Sequence, residues 1–173
     1  MKVVTDHPIV DAVLGRHRDA LGDATATYRN HVYRCINYHQ LLLGTTIPDV
    51  AALAWAAHDL GIWTVGTFDY LAPSADLATE HADEFGVTDT DQLRAMITDH
   101  HRLRPAPERM TETFRKADLV DVSHGFLSNR IGRSAVRAVV AELPYRGFHA
   151  FLAKGLGSYA ARHPLRPLPM MRW

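Results

Sequence analysis

The chain has 173 residues, 47% of them hydrophobic, and 19 basic residues balance 19 acidic ones. That length predicts a single domain able to bury roughly two-thirds of its unfolded surface, and the balance excludes both a disordered tail and a globally basic nucleic-acid binder. One cysteine, Cys35, excludes an internal disulfide framework and fits a reducing, cytoplasmic setting; MKVVTDHPIV lacks the regions of a signal peptide, and no apolar run is long enough for a membrane span.

Helical periodicity runs through most of the chain, and strand patterns are hard to find. Ile9 to Leu21 reads as a first helix with Val10, Val13 and Leu14 on one face. Asp23 is placed to cap a longer helix ending about Leu43, whose inner stripe is Val32, Ile36, His39 and Leu43, with Tyr28, Cys35 and Leu42 beside it. Val50 to Trp63 follows Pro48 and is apolar all round as far as Ala57, the mark of a helix in a core, with Gly61 expected as its left-handed cap. Pro73 and Ser74 start a short helix through Glu84 that stops at Gly86. Asp89 or Thr90 caps the next, with Leu93, Met96 and Ile97 inward. Helices are expected from about Glu108 to Ser123, from Ile131 to Leu143 and from Phe148 to Ala161, and the proline-rich residues 164–173, ending on Trp173, read as an extended arm. The expected fold class is all-α, a compact multi-helix bundle with its core at about 28–125 and C-terminal helices over 129–162.

Charge is uneven along this order. Residues 129–173 carry eight Arg or Lys against Glu142 alone, while the first 128 carry eleven basic and eighteen acidic residues. Arg130, Arg133 and Arg137 are expected on a solvated helix face. The sharper alternative is a positive rim that attracts an anion or supports a homo-oligomer.

Four segments hold residues capable of chemistry. His31 lies one turn after Tyr28 and one before Cys35, so it can point inward. His58-Asp59 ends the buried helix, where a carboxylate meets both a dry core and the negative helix end, and so calls for a compensating cation. His100 continues the Leu93, Met96, Ile97 face, with His101 beside it. Asp118 and Asp121 share one helix face with Phe114 and Ala117, again costly without a cation. Each alone has a structural explanation in solvated or hydrogen-bonded side chains; the coincidence of four points to a site.

His31, the His58-Asp59-Leu60-Gly61 run and the Ala117-Asp118-Leu119 stretch resemble the HD-domain superfamily of metal-dependent phosphohydrolases, over roughly residues 28–125. The resemblance implies a helical HD-type core in which His31, His58, Asp59 and Asp118 hold a metal, with Asp121 as fallback if the helix is rotated. It places His100 and His101 where members keep histidines for phosphate contact or a second metal. No GYP triplet follows the doublet, which sets aside cyclic di-GMP phosphodiesterases of that type, and no groove-reading module for nucleic acid is visible.

Two imidazoles and two carboxylates suit one divalent transition metal, Mn, Fe, Co, Ni or Zn, with a second possible. With Asp59 at the metal, His100 becomes the candidate proton shuttle and His101, Arg34 and Lys116 the candidate contacts to substrate; Asp69 is a weaker candidate. The expectation is hydrolysis of a phosphate ester of a nucleotide or small phosphorylated metabolite. The alternatives are a di-iron oxygenase or hydratase on the same scaffold and a non-catalytic, metal-stabilised binding module. The oxygenase would need a further histidine such as His81, which reads as a surface residue.

Overall fold

Residues 2–171 are described by the computed structural model, and every regular element among them is helical. The chain runs through α1 (Pro8–Arg16), α2 (Arg18–Leu21), α3 (Thr25–Leu43), α4 (Asp49–Ala57), α5 (Gly61–Thr64), α6 (Leu71–Ala82), α7 (Thr90–Asp99), α8 (Arg109–Val122), α9 (Arg133–Glu142) and α10 (Phe148–Arg162). The bundle is all-α, as the periodicity predicts. No helix among the described residues is long and apolar enough to cross a membrane.

α4 is the axis of the bundle, packed against α1, α3, α6 and α7. Its composition explains this: Ala51, Ala52, Ala54, Ala56 and Ala57 let four neighbours approach closely, and Leu53 and Trp55 fill the space between them, all with no exposed surface. Trp55 stacks on Phe114 of α8 with ring centroids 3.6 Å apart. Its indole N–H donates to Nδ1 of His39 at 3.0 Å, and Nε2 of His39 donates to the Thr113 hydroxyl at 3.0 Å. α3 lies against α8 on its other side, and the shared core runs from Ile9 in α1 to Leu143 after α9, wider at both ends than residues 28–125.

Local signals placed several boundaries. The Asp89 carboxylate accepts the Gln92 N–H at 3.0 Å as N-cap of α7, and Gly44 closes α3 in the left-handed conformation, φ 77°. Other boundaries differ. The first helix breaks at His17; Asp23 caps nothing and sits in a 3-10 turn over residues 22–24; and α6 starts at Leu71, before Pro73. α3 is buried on far more than one stripe, since Tyr33, Arg34, Asn37 and Tyr38 are also enclosed.

Gly61 is not the left-handed cap expected of it. α4 stops at Ala57, His58 to Leu60 form a turn, and Gly61 begins α5 with its N–H donated to the Ser74 hydroxyl at 2.9 Å. Glycine is needed there for closeness: a Cβ would lie 2.7 Å from the Tyr70 carbonyl oxygen. Gly61→Ala is therefore expected to cost about 1–3 kcal/mol through overpacking, read by urea denaturation. Residues 164–171 also depart from an extended arm, for they fold back so that Met170 is buried against Ile62, Tyr70 and Leu71. Arg172 and Trp173 lie outside the described residues.

Burial pushes His39 down to about 3. The unfolded chain therefore takes up a proton near pH 6.5 that the folded one refuses until about pH 3, so stability is full above that upper value and falls as the pH drops through this window. The expected slope is up to about 1.4 kcal/mol per pH unit, and His39→Gln should flatten it by about one proton in denaturation series from pH 7 to pH 4.

Candidate metal centre

His31 of α3, the His58-Asp59 turn, the end of α7 and Asp118 of α8 meet inside the bundle. α4 ends at Ala57 and the chain tightens, with Leu60 N–H bonded to the Ala57 carbonyl and Ile62 N–H to that of Asp59. Tyr28 anchors the turn, its hydroxyl accepting the Asp59 N–H at 3.2 Å and donating to the Ala56 carbonyl at 3.1 Å. Adjacent side chains can thereby face one point. Nε2 of His31 lies 3.0 Å from Nε2 of His58, 3.6 Å from Oδ2 of Asp59 and 3.6 Å from Oδ1 of Asp118; Nε2 of His58 is 3.4 Å from Oδ2 of Asp59. Neighbouring donors around an octahedral ion with bonds of about 2.1 Å stand about 3.0 Å apart, so these spacings fit a shared ion.

Hydrogen bonding on the outer side of each ring fixes which nitrogen faces inward. His58 Nδ1 donates to the Trp55 carbonyl at 2.9 Å, His31 Nδ1 to Oδ2 of Asp121 at 2.7 Å, and His100 Nδ1 to the Ile97 carbonyl at 2.7 Å. With the protons spent outward, all three Nε2 atoms turn lone pairs toward two carboxylates. Oδ1 of Asp59 and Nε2 of His100, 3.5 Å apart, are buried without a hydrogen-bond partner. Two buried carboxylates among these rings call for positive charge, which a metal ion or a proton can supply. A proton on His31 can meet part of that need: burial opposes the charge, but Cys35, Asp121 and Asp59 hold the ring well above its usual range. The groups His31, His58, Asp118 and His58, Asp59, His100 can each hold a metal ion.

Asp59 is kept well below the usual carboxylate range; burial works against its charge, and His58, His100 and His31 outweigh it. Burial pushes Asp118 up to about 6, with His100 and His31 opposing the rise and the charges of Asp59 and Asp121 adding to it. Each carboxylate is shared. Asp59 offers Oδ2 to His31 and His58 and Oδ1 to His100, while Asp118 offers Oδ1 to His31 and Oδ2 to Nδ1 of His101 at 3.8 Å. His101, His100 and Asp118 form a further metal-capable group. The Tyr70 hydroxyl, 2.8 Å from Nε2 of His101, can donate or accept, so His101 is the one imidazole whose tautomer its partners leave free. A cavity of about 270 Å³ opens beside Asp59, His101, Asp118 and Tyr70.

Asp121 lies behind His31, not in front of it. Its two oxygens receive Nε and Nη2 of Arg34 at 2.6 and 2.8 Å, and Arg34 Nη1 also donates to the carbonyls of Leu143 and Pro144. The pair is fully buried, so Arg34 cannot contact substrate as expected from the sequence; it fixes the carboxylate that fixes His31. Both Asp121 oxygens are thus engaged by Arg34 and His31, although His31, Cys35 and Asp121 form a further group that could hold an ion; burial pushes the Cys35 thiol up to about 12. Lys116 points outward to Oε1 of Glu112 at 3.1 Å and does not reach the site. Asp69 is exposed and pairs with Arg166, and His81 faces His17 with Nε2 atoms 3.1 Å apart, away from the cluster.

Several participants escaped the sequence reading. Phe148 stacks on His31 with centroids 4.1 Å apart, and no sequence signal links the two. The Arg34–Asp121 clamp did carry one: His31 and Arg34 on α3 repeat the three-residue step of Asp118 and Asp121 on α8, so packing one pair brings the other together.

Comparison of the chain with protein-family models, curated proteins and solved structures finds no match.

Proposed function

We propose that this protein is a metal-dependent phosphohydrolase of the HD type, in which His31, His58, Asp59 and Asp118 hold one divalent transition metal. The observation that carries the reading is the buried convergence of imidazole nitrogens and two carboxylates, with Oδ1 of Asp59 and Nε2 of His100 left without a hydrogen-bond partner, on residues in the order of the HD pattern. A divalent ion held there supplies Lewis acidity, making water nucleophilic near neutral pH and offsetting phosphoryl charge. The surrounding residues do the rest. Arg34 and Asp121 orient His31, the Trp55 carbonyl orients His58, and α10 covers the site through Phe148. His100, with its free Nε2, accepts the proton that water loses as its oxygen bonds to phosphorus and the ester P–O bond breaks. The departing alkoxide takes one proton from solvent, to which His100 returns the one it accepted, so the reaction balances. Tyr70 stays protonated, pushed well above its usual range by burial and then by Asp59 and Asp118, and with His101 it lines the exit side.

His100→Ala tests this assignment. The expected result is an unchanged metal content with turnover of a phosphomonoester reduced roughly 10²–10⁴-fold. The sharing of both carboxylates between two histidine pairs favours a second reading, in which His100 and His101 hold a second ion and a di-iron oxygenase or hydratase enters consideration. Loss of half of a two-ion complement in His100→Ala, measured by elemental analysis, would select it. Full metal with no turnover of any phosphate ester by the wild type would leave the metal-stabilised binding module.

A further inference from the structure

The cavity above the metal centre identifies the kind of substrate that can enter, and we infer that it is a monophosphate ester of a small apolar alcohol rather than a nucleotide or sugar phosphate. This inference rests on the phosphohydrolase reading for the phosphoryl group and on the cavity alone for the remainder. Beyond Asp59, Asp118, His101 and Tyr70, the walls are Phe68, Val122, Leu152, Leu156, Leu168 and Met170, supplied by the loop after α5, the end of α8, one face of α10 and the folded-back tail. Among the described residues, no lysine or arginine lines it. Cations in that neighbourhood, Lys154 and Arg162, line a separate open groove that has Phe68 in its wall.

Charge and polarity then limit the ligand. Among the described residues, the only fixed charges on the cavity floor are the two carboxylates, and a metal ion bound between them would be largely neutralised. One phosphoryl group at the floor can be offset by that ion. The second and third phosphates of a nucleotide would instead lie among leucines and methionines, unpaired and desolvated. Sugar hydroxyls would likewise lose their water without gaining partners. The cavity, about 270 Å³ and partly open to solvent, offers an alkyl chain or a single aromatic ring an apolar wall along its length. An apolar body fits because its burial is itself favourable, by an amount that multiplies affinity about three- to fourfold per methylene.

The experiment uses the full chain loaded with Mn²⁺ and n-alkylphosphonates from methyl to octyl, titrated by calorimetry. Phosphonates carry the phosphoryl anion but no ester bond, so binding is read apart from turnover. Affinity is expected to climb about threefold or more per methylene until the cavity is full. Leu156→Asp should abolish the climb, whereas Leu156→Met should retain it; both sit at a half-buried position, and far-UV circular dichroism with metal content confirms the fold. Initial rates on hexyl phosphate, glucose 6-phosphate, AMP and ATP complete the test, with hexyl phosphate expected to be fastest. If affinity is independent of chain length, or ATP competes as well as octylphosphonate, the inference is overturned even where phosphatase activity is present. If affinity climbs but none of the esters is hydrolysed, the apolar anion stands as the ligand class and the phosphohydrolase reading falls.

Discussion

Asp59→Asn should be unable to retain metal, and should lose stability even in the presence of a chelator, because His58, His100 and His31 hold this carboxylate well below its usual range and so stabilise the fold through its charge. With metal supplied the loss should be larger, because the substitution also deletes the group whose two oxygens face both histidine pairs. His58→Ala removes one Nε2 that faces His31 and should lower metal affinity by more than about 100-fold, beyond what loss of an outer hydrogen-bond partner costs. Thermal melts with chelator and with Mn²⁺, together with elemental analysis, read both effects. Metal retained at full complement in His58→Ala, or Asp59→Asn equally destabilised under both conditions, would show that the cluster is a structural ion-pair network instead.

What could be read in the sequence was what local chemistry determines. Asp89 caps α7 because a carboxylate satisfies an N–H group of its own first turn. The all-apolar run of Ala51 to Ala57 could belong only to an enclosed helix, and His58-Asp59 at its end was conspicuous because a charge there is unfavourable. Arg34, by contrast, looked like a surface cation, since its burial depends on Asp121, 87 residues away, and on carbonyls beyond α9. Gly61 resembled a helix cap because the sequence does not reveal that the Tyr70 backbone passes 2.7 Å from where a Cβ would stand. The tail looked extended for the same reason: three prolines argue against a helix but say nothing of the apolar face onto which Met170 closes. Metal-capable residues were legible by type and order, whereas their outer partners, Tyr28, Tyr70 and Phe148, became visible only with the packing.

Arg34→Met separates a clamp from a substrate contact. An arginine that met a phosphate would change KM and leave stability nearly untouched. The structure instead encloses its guanidinium completely, with both oxygens of Asp121 and two backbone carbonyls as partners. Arg34 is held above its ordinary pKa, burial opposing and the bonds to Asp121 prevailing, while the same pair keeps Asp121 low against its own burial. Truncation leaves that carboxylate charged and facing only His31, so the expected cost is about 3–5 kcal/mol in urea denaturation. Metal affinity should fall about 10–100-fold as well, because His31 loses the fixed acceptor that turns its Nε2 inward. The double variant Arg34→Met, Asp121→Asn leaves no buried unpaired charge, and its amide oxygen still accepts from His31 Nδ1. It should therefore be more stable than Arg34→Met alone, with a coupling of the single substitutions well above the 0.3–0.5 kcal/mol scatter of independent sites, about 1 kcal/mol or more. Normal stability and metal affinity with a raised KM in Arg34→Met would return the residue to the role of a substrate contact. A stability loss that the second substitution partly reverses would establish it as the support on which His31, and through it the metal centre, is built.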